Sequence, residues 1–192
     1  MKICVGIPNG GRVHARLLTD IVAAILAVPQ TTWILYAPEG SLGPHNRWLC
    51  GKAAVDSDSD YLWLVDNDMA IPRDALLRLL QHGRDLVGAA YNYRGLPQRT
   101  VVKRLDERGQ IFIPDQLPDS LFECHAIGSG CKLIRVAALK TIPQPWFALD
   151  WNEEGCLSKT DDVWFCEQAK KAGIKTYCDP TIPVKHIGDF QY

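Results

Sequence analysis

Three segments of almost unbroken apolar residues, KICVGIP (2–8), TTWILYAP (31–38) and YLWLV (61–65), each run into a stretch that reads as a helix. A strand that is apolar at nearly every position has to be covered on both faces, and successive strands of that kind are joined by helices lying across the sheet. After the first strand, Leu17, Leu18, Ile21, Val22, Ile25 and Leu26 recur at helical spacing between Arg12 and Val28, and Pro29 closes the run. A second helix is expected from about Pro44 to Val55, and a third opens at Pro72, continues through DALLRLLQHG and stops at Gly83. DLVGAAY (85–91) supplies a fourth strand. The expected class is α/β, with a mostly parallel central sheet flanked by helices.

The second half has a different pattern. VVKRLDERGQIFI places two β-type segments around Asp106, Glu107, Arg108 and Gly109, which predicts a small antiparallel hairpin. FECHAIGSGCKLIR reads as strand, glycine break and strand, VAALKTI as a short helix, and QPWFALDWNEEG as an irregular aromatic loop. TDDVWFCEQAKKAG is a well-marked helix, with Thr160 at the cap, Asp161 and Asp162 in the first turn, Lys170 and Lys171 in the last, and Gly173 as the stop. KTYCDP and TIPVKHIG supply final extended segments. No repeat, low-complexity stretch or linker divides the chain, so residues 1–192 are expected to form one domain with halves at 1–95 and 96–192.

Composition excludes several partners. The formal net charge is -1 and no basic run exceeds a pair, so nucleic acid is not expected as a partner. No window approaches the apolar length of a membrane span. MKICVGIPNGG has too short an apolar stretch for a secretion leader and reads as a core strand. Seven cysteines without a CxxC pair fit neither a disulfide framework nor a zinc ribbon, and a reducing, cytoplasmic location is expected.

The candidate chemistry starts where YLWLV ends, at Asp66, Asn67 and Asp68. In an open α/β sheet, ligands bind beyond the carboxyl ends of the strands. Two carboxylates this close repel each other unless a proton or cation lies between them. Oxygen donors at i and i+2 suit magnesium or manganese bridging a diphosphate, while a polar turn capping the next helix is the plainer alternative. DSDSD (56–60) opens like a calcium loop, but Tyr61 stands where glycine is needed and Asn67 where a bidentate glutamate is needed, so it reads as a solvated turn. The turn at Pro8, Asn9 and Gly10, with Arg12 following, lacks GxGxxG yet is a candidate nucleotide-contacting loop. Asp161 and Asp162 are ordinary helix-dipole partners by themselves, but Trp146, Phe147 and Trp151 precede them and offer stacking faces for a substrate. His186, taken alone, reads as a packed or surface histidine.

Taken in order, the strand ending in DND, then GSGCKLIR, PWF, TDDVWFCEQAKKAG and VKHIG, the chain resembles the GT-A glycosyltransferases, in particular the family 2-like group with its short bacterial and phage relatives. The resemblance covers nearly the whole chain and implies a GT-A fold with a nucleotide-binding half over 1–95 and an acceptor-side half over 96–192. Asp66 and Asp68 match the DxD motif that holds manganese or magnesium against the diphosphate of a UDP- or GDP-linked sugar, and His186 matches a late histidine of the metal site. Asp162 matches the acceptor base, with Asp161 beside it in place of the usual glutamate. Pro8, Asn9, Gly10, Arg12, Arg47 and Asn67 correspond to the donor entrance, where Asn46 and Arg47 reverse the family's Arg-Asn order.

Gly128 and Gly130 would bring backbone amides close to the sugar, and Trp146, Phe147 and Trp151 would form an acceptor-side lid. The C-terminal acceptor-side helices and membrane-associated motif of larger synthases are missing. The implied activity is sugar transfer to an acceptor hydroxyl, inverting if Asp162 is the base; a retaining course would leave Asp162 to position the donor. The acceptor and the oligomeric state are not specified by these residues. Two rival readings stand beside it: a sugar-nucleotide nucleotidyltransferase, which normally has a longer basic first loop, and a non-catalytic nucleotide-sugar-binding module.

Overall fold

A computed structural model of the protein describes residues 1–188. The first half follows the expected alternation, with one short strand, β4 (Met69–Ala70), that was not expected: β1 (Lys2–Gly6), α1 (Ala15–Leu26), β2 (Thr32–Tyr36), α2 (Gly43–Asp56), β3 (Tyr61–Val65), β4, α3 (Ala75–Gln81) and β5 (Leu86–Ala89). The second half consists of β6 (Arg104–Leu105), β7 (Ile111–Phe112), β8 (Phe122–Cys124), β9 (Cys131–Arg135), α4 (Val136–Leu139), β10 (Asp150–Trp151), β11 (Leu157–Lys159), α5 (Asp161–Lys171), β12 (Thr176–Asp179) and β13 (Lys185–His186).

The central sheet has seven strands in the order β2-β1-β3-β9-β5-β12-β8. β2, β1, β3, β5 and β12 share one direction, while β9 runs antiparallel between β3 and β5, and β8 runs antiparallel on β12 at the edge. The sheet is therefore mixed rather than purely parallel, and the reversal at β9 brings its amino end, Cys131, opposite Val65 at the carboxyl end of β3. The residues just before β9 and just after β3 consequently leave the sheet together. The expected hairpin is present as β6 and β7. Asp106 Oδ1 secures its turn, accepting from Arg108 N at 2.9 Å and Gln110 N at 2.7 Å.

Side-chain alternation divides the interior into layers. Ile3, Val5, Trp63 and Val65 pack on one face against Leu17 and Ile21 of α1 and Leu76 and Leu79 of α3. Cys4, Leu62 and Leu64 pack on the other against Cys50 and Ala54 of α2 and Phe165 and Cys166 of α5. Both faces are covered, which is why β1 is apolar from Ile3 onward and β3 from Leu62 onward. All the cysteines are free, and only Cys156 is exposed. No helix of the described residues is long and apolar enough to cross a membrane.

Candidate functional site

β1 and β3 are adjacent and parallel, so the turn after Gly6 and the Asp66-Asn67-Asp68 segment emerge at the same end of the sheet. Between them lies a cavity of about 310 Å³, lined by Asn9, Gly10, Arg47, Asp66, Asp68 and His186, with Pro8 and Asn67 also at its wall. The Asn9 turn is braced from several sides. Its Oδ1 accepts from Gly11 N at 2.9 Å, its Nδ2 donates to Pro38 O at 3.0 Å, and its carbonyl accepts from Asn46 Nδ2 at 2.9 Å. Asn46 is thus a buried brace for the turn. The exposed Arg12 does not line the cavity; its carbonyl accepts from Asn67 Nδ2 at 2.5 Å.

Arg47 organises the charges. It projects from the first turns of α2, and its Nη2 donates to Asp66 Oδ1 and Oδ2 at 2.9 and 3.0 Å, while Nη1 donates to Asp161 Oδ2 at 2.6 Å. Burial works against its charge, but the carboxylates of Asp66, Asp162 and Asp161 together hold the guanidinium well above its ordinary pKa. Burial pushes Asp161 up, against the pull of Arg47 and with Asp162 adding repulsion. Asp162 goes the other way: burial opposes its charge, yet Arg47, Lys132 and the hydrogen bonds from Ser129 hold it below the usual carboxylate range. Neither Asp161 nor Asp162 lines the cavity, and Arg47 is the link between the helix start and the strand end.

Asp68 pairs with Arg94 through one oxygen, while the other, Oδ1, is buried without a hydrogen-bond partner. His186 reaches the same cavity because β13 pairs antiparallel with β4, His186 opposite Met69, and Ile187 N donates to Asp68 O at 2.7 Å. Its Nδ1 donates to the Asn92 carbonyl at 2.6 Å, which leaves Nε2 as the lone-pair nitrogen. A backbone carbonyl on one ring nitrogen is the usual support for a histidine that ligates through the other. Among the described residues, no three His, Cys, Asp or Glu side chains stand close enough to hold a metal ion by themselves. What speaks for a hard cation is the orphaned Asp68 oxygen, with His186 lining the same cavity; such an ion would take most of its ligands from phosphate oxygens and water, the usual manner of magnesium.

Two groups of expected site residues are placed elsewhere. Over Gly128 and Gly130 sits the Tyr91 ring; a Cβ at Gly130 would fall 2.7 Å from its hydroxyl, and Gly130 N donates to that hydroxyl at 2.8 Å. These glycines make room for Tyr91, and the amide at 130 is already used. Trp146 and Phe147 do not form a lid either, because both are buried in the α2–α5 layer. Phe147 stacks on Phe165 with centroids 4.7 Å apart, and Trp146 lies so close to α2 that a Cβ on Gly51 would meet its ring at 2.8 Å. A PWF run between helices is core as readily as lid, and the missing helical period did not distinguish the two. Trp151 alone remains exposed, in the β10–β11 hairpin.

The sequence reading missed Arg94, Tyr91, Ser129 and Lys132. Lys132 carried a usable signal, since a lysine inside the apolar strand CKLIR must find an anion or leave the core.

No known protein-family model matches the chain, and no curated protein matches it in sequence. Among solved structures, the crystal structure of A197 from STIV is similar over 98% of this chain and 87% of that chain, with a TM-score of 0.70 and 21% identity. At that identity the likeness extends to the fold.

Proposed function

We propose that the protein is a metal-dependent glycosyltransferase of GT-A type that moves a sugar from a UDP- or GDP-linked donor to an acceptor hydroxyl. The observation carrying this reading is the single cavity at the ends of β1 and β3 that gathers Asn9, Arg47, Asp66, Asp68 and His186 from four separate parts of the chain. A helix start or polar turn needs none of the others.

In this reading Asp68 and His186 are the residues that would hold manganese or magnesium, with Asp66 beside them. A divalent ion held there would supply Lewis-acid stabilisation of the charge that develops on the leaving diphosphate. Arg47, fixed by Asp66 and Asp161, presents positive charge to the same wall of the cavity. The turn at Asn9 and Gly10, braced by Asn46, forms the floor against which the nucleotide lies. Transfer forms a bond between the acceptor oxygen and the anomeric carbon and breaks the bond to the diphosphate, whose oxygen keeps the electron pair. The acceptor proton passes to Asp162.

A second reading, a nucleotide-sugar binder without catalysis, draws on the arginines already paired with Asp66 and Asp68 and on the position of Asp162 outside the cavity wall. A thermal-shift panel of nucleotide sugars with and without manganese, followed by product analysis, tests both. Stabilisation by a donor with transfer supports the enzyme; stabilisation without release of nucleoside diphosphate to any acceptor supports the binder; no stabilisation removes both.

A further inference from the structure

Lys132, the second residue of β9, is fully buried, with its ammonium 3.1 Å from Ser129 Oγ and 5.1 Å from the Phe165 ring centroid. Ser129 is fully buried as well, and its hydroxyl donates to Asp162 Oδ1. The direction of this chain is fixed by chemistry. An ammonium has only donors and a carboxylate only acceptors, so the serine oxygen must accept from Lys132 and its single hydrogen must go to Asp162. Moving an ammonium into a dry core is unfavourable by several kcal/mol unless an anion compensates it, and the carboxylates that act on Lys132 are Asp162 and Asp161.

We propose that Lys132, acting through Ser129, is the positioning residue of Asp162: it locks Oδ1 in a one-way hydrogen-bond chain, fixes the rotation of the carboxylate, and leaves Oδ2 as the oxygen that takes a proton. An amide or a neutral strand residue at 132 could not impose that direction. The lysine is unused by the donor cavity, which it does not line.

The inference deepens the reading of Asp162 as acceptor base and rests on it for its catalytic meaning, but the hydrogen-bond chain can be tested separately. The charged and titratable groups facing Asp162 are Arg47 on α2, Lys132 on β9, Asp161 on its own helix and Tyr91 beyond β5, so the perturbation has to be confined to one of them. Lys132→Met keeps the length of the stem and removes the charge; Ser129→Ala breaks the chain while keeping the lysine.

Carbon-detected NMR titration of the Asp162 carboxyl in the full chain, with Asp162→Asn used to assign the resonance, is the deciding measurement. Its midpoint should move to higher pH in both variants, and Ser129→Ala serves by itself if Lys132→Met does not fold. An unmoved midpoint in the folded variants overturns the proposal whatever the transfer rate. With the midpoint moved, kcat for sugar transfer should fall about 100-fold in Ser129→Ala with donor KM little changed, the scale expected for a misplaced reacting group. A moved midpoint with wild-type kcat would leave the hydrogen-bond chain standing and remove the base role of Asp162.

Discussion

Arg47 Nη1 donates to Asp161 Oδ2 across 2.6 Å, tying α2 to the first residue of α5, 114 positions later in the chain. The same guanidinium holds Asp66 through Nη2. A planar fork can span two carboxylates in this way, whereas a lysine ammonium presents one point of charge. Arg47→Ala should therefore leave Asp161 and Asp66 without their cation and lower stability by about 3 to 5 kcal/mol in urea unfolding. Arg47→Lys should recover only part of this. A variant as stable as wild type would mean that the two carboxylates are compensated some other way.

Asp161 and Asp162 are adjacent but should fail differently. Asp162→Asn is nearly isosteric and should leave donor affinity intact while transfer falls by about two to four orders of magnitude, the range for losing a general base. Asp161→Asn should act mainly on stability, because it removes half of the Arg47 clamp. Steady-state kinetics beside melting curves for the two variants separate these outcomes; equal kinetic losses at both positions would contradict the division of roles.

Asp179 gives the acid limb of the stability profile. It is buried at the end of β12 and accepts from Thr181 Oγ1 at 2.6 Å and His82 Nε2 at 2.9 Å. Burial opposes its charge, but Thr181, His82 and Arg78 outweigh that and hold the carboxyl below its usual value. A carboxyl depressed by folding stabilises fully above its unfolded pKa of about 3.9 and loses that contribution as pH falls through the lower folded value. Asp179→Asn should lower stability at neutral pH by about 1 to 3 kcal/mol and flatten the dependence below about pH 4. Denaturant unfolding at a series of pH values reads both effects.

The aromatic segment yields a prediction opposite to that of a lid. Trp146→Ala should lower stability by about 3 to 5 kcal/mol, the cost of emptying a buried aromatic site, and should do so with or without donor. Limited proteolysis should cut the exposed turn between β10 and β11, over 152–156, and should spare the buried Trp146 and Phe147.

Much of the fold was legible because continuous apolar strands and helical periodicity are local signals: β1, β2, β3 and β5 lie close to where they were expected, whereas the two-residue β4 was too short to leave a pattern. The reversal of β9 was not legible: CKLIR is compatible with either direction, and only its pairing between β3 and β5 decides. The same limit applied to the site. Asp66 and Asp68 stood out because acids end an apolar strand, and His186 gained its meaning only when β13 paired with β4. Arg47 to Asp161 is a contact between distant segments, and no spacing rule reaches it. Gly128 and Gly130 were visible as special, but what they make room for, Tyr91, lies on another segment.

The central claim is that the cavity between Asn9 and Asp68 takes a nucleotide-diphosphate sugar together with a divalent ion. Calorimetric titration of UDP- and GDP-sugars into the full chain, with manganese and again with chelator, measures it directly. The account predicts saturable binding of one such donor, tightened by manganese at least about tenfold, or about 1.4 kcal/mol. Asp68→Asn should lose the manganese increment. Failure of every donor to bind, or equal affinity with manganese and with chelator in both wild type and Asp68→Asn, would contradict it.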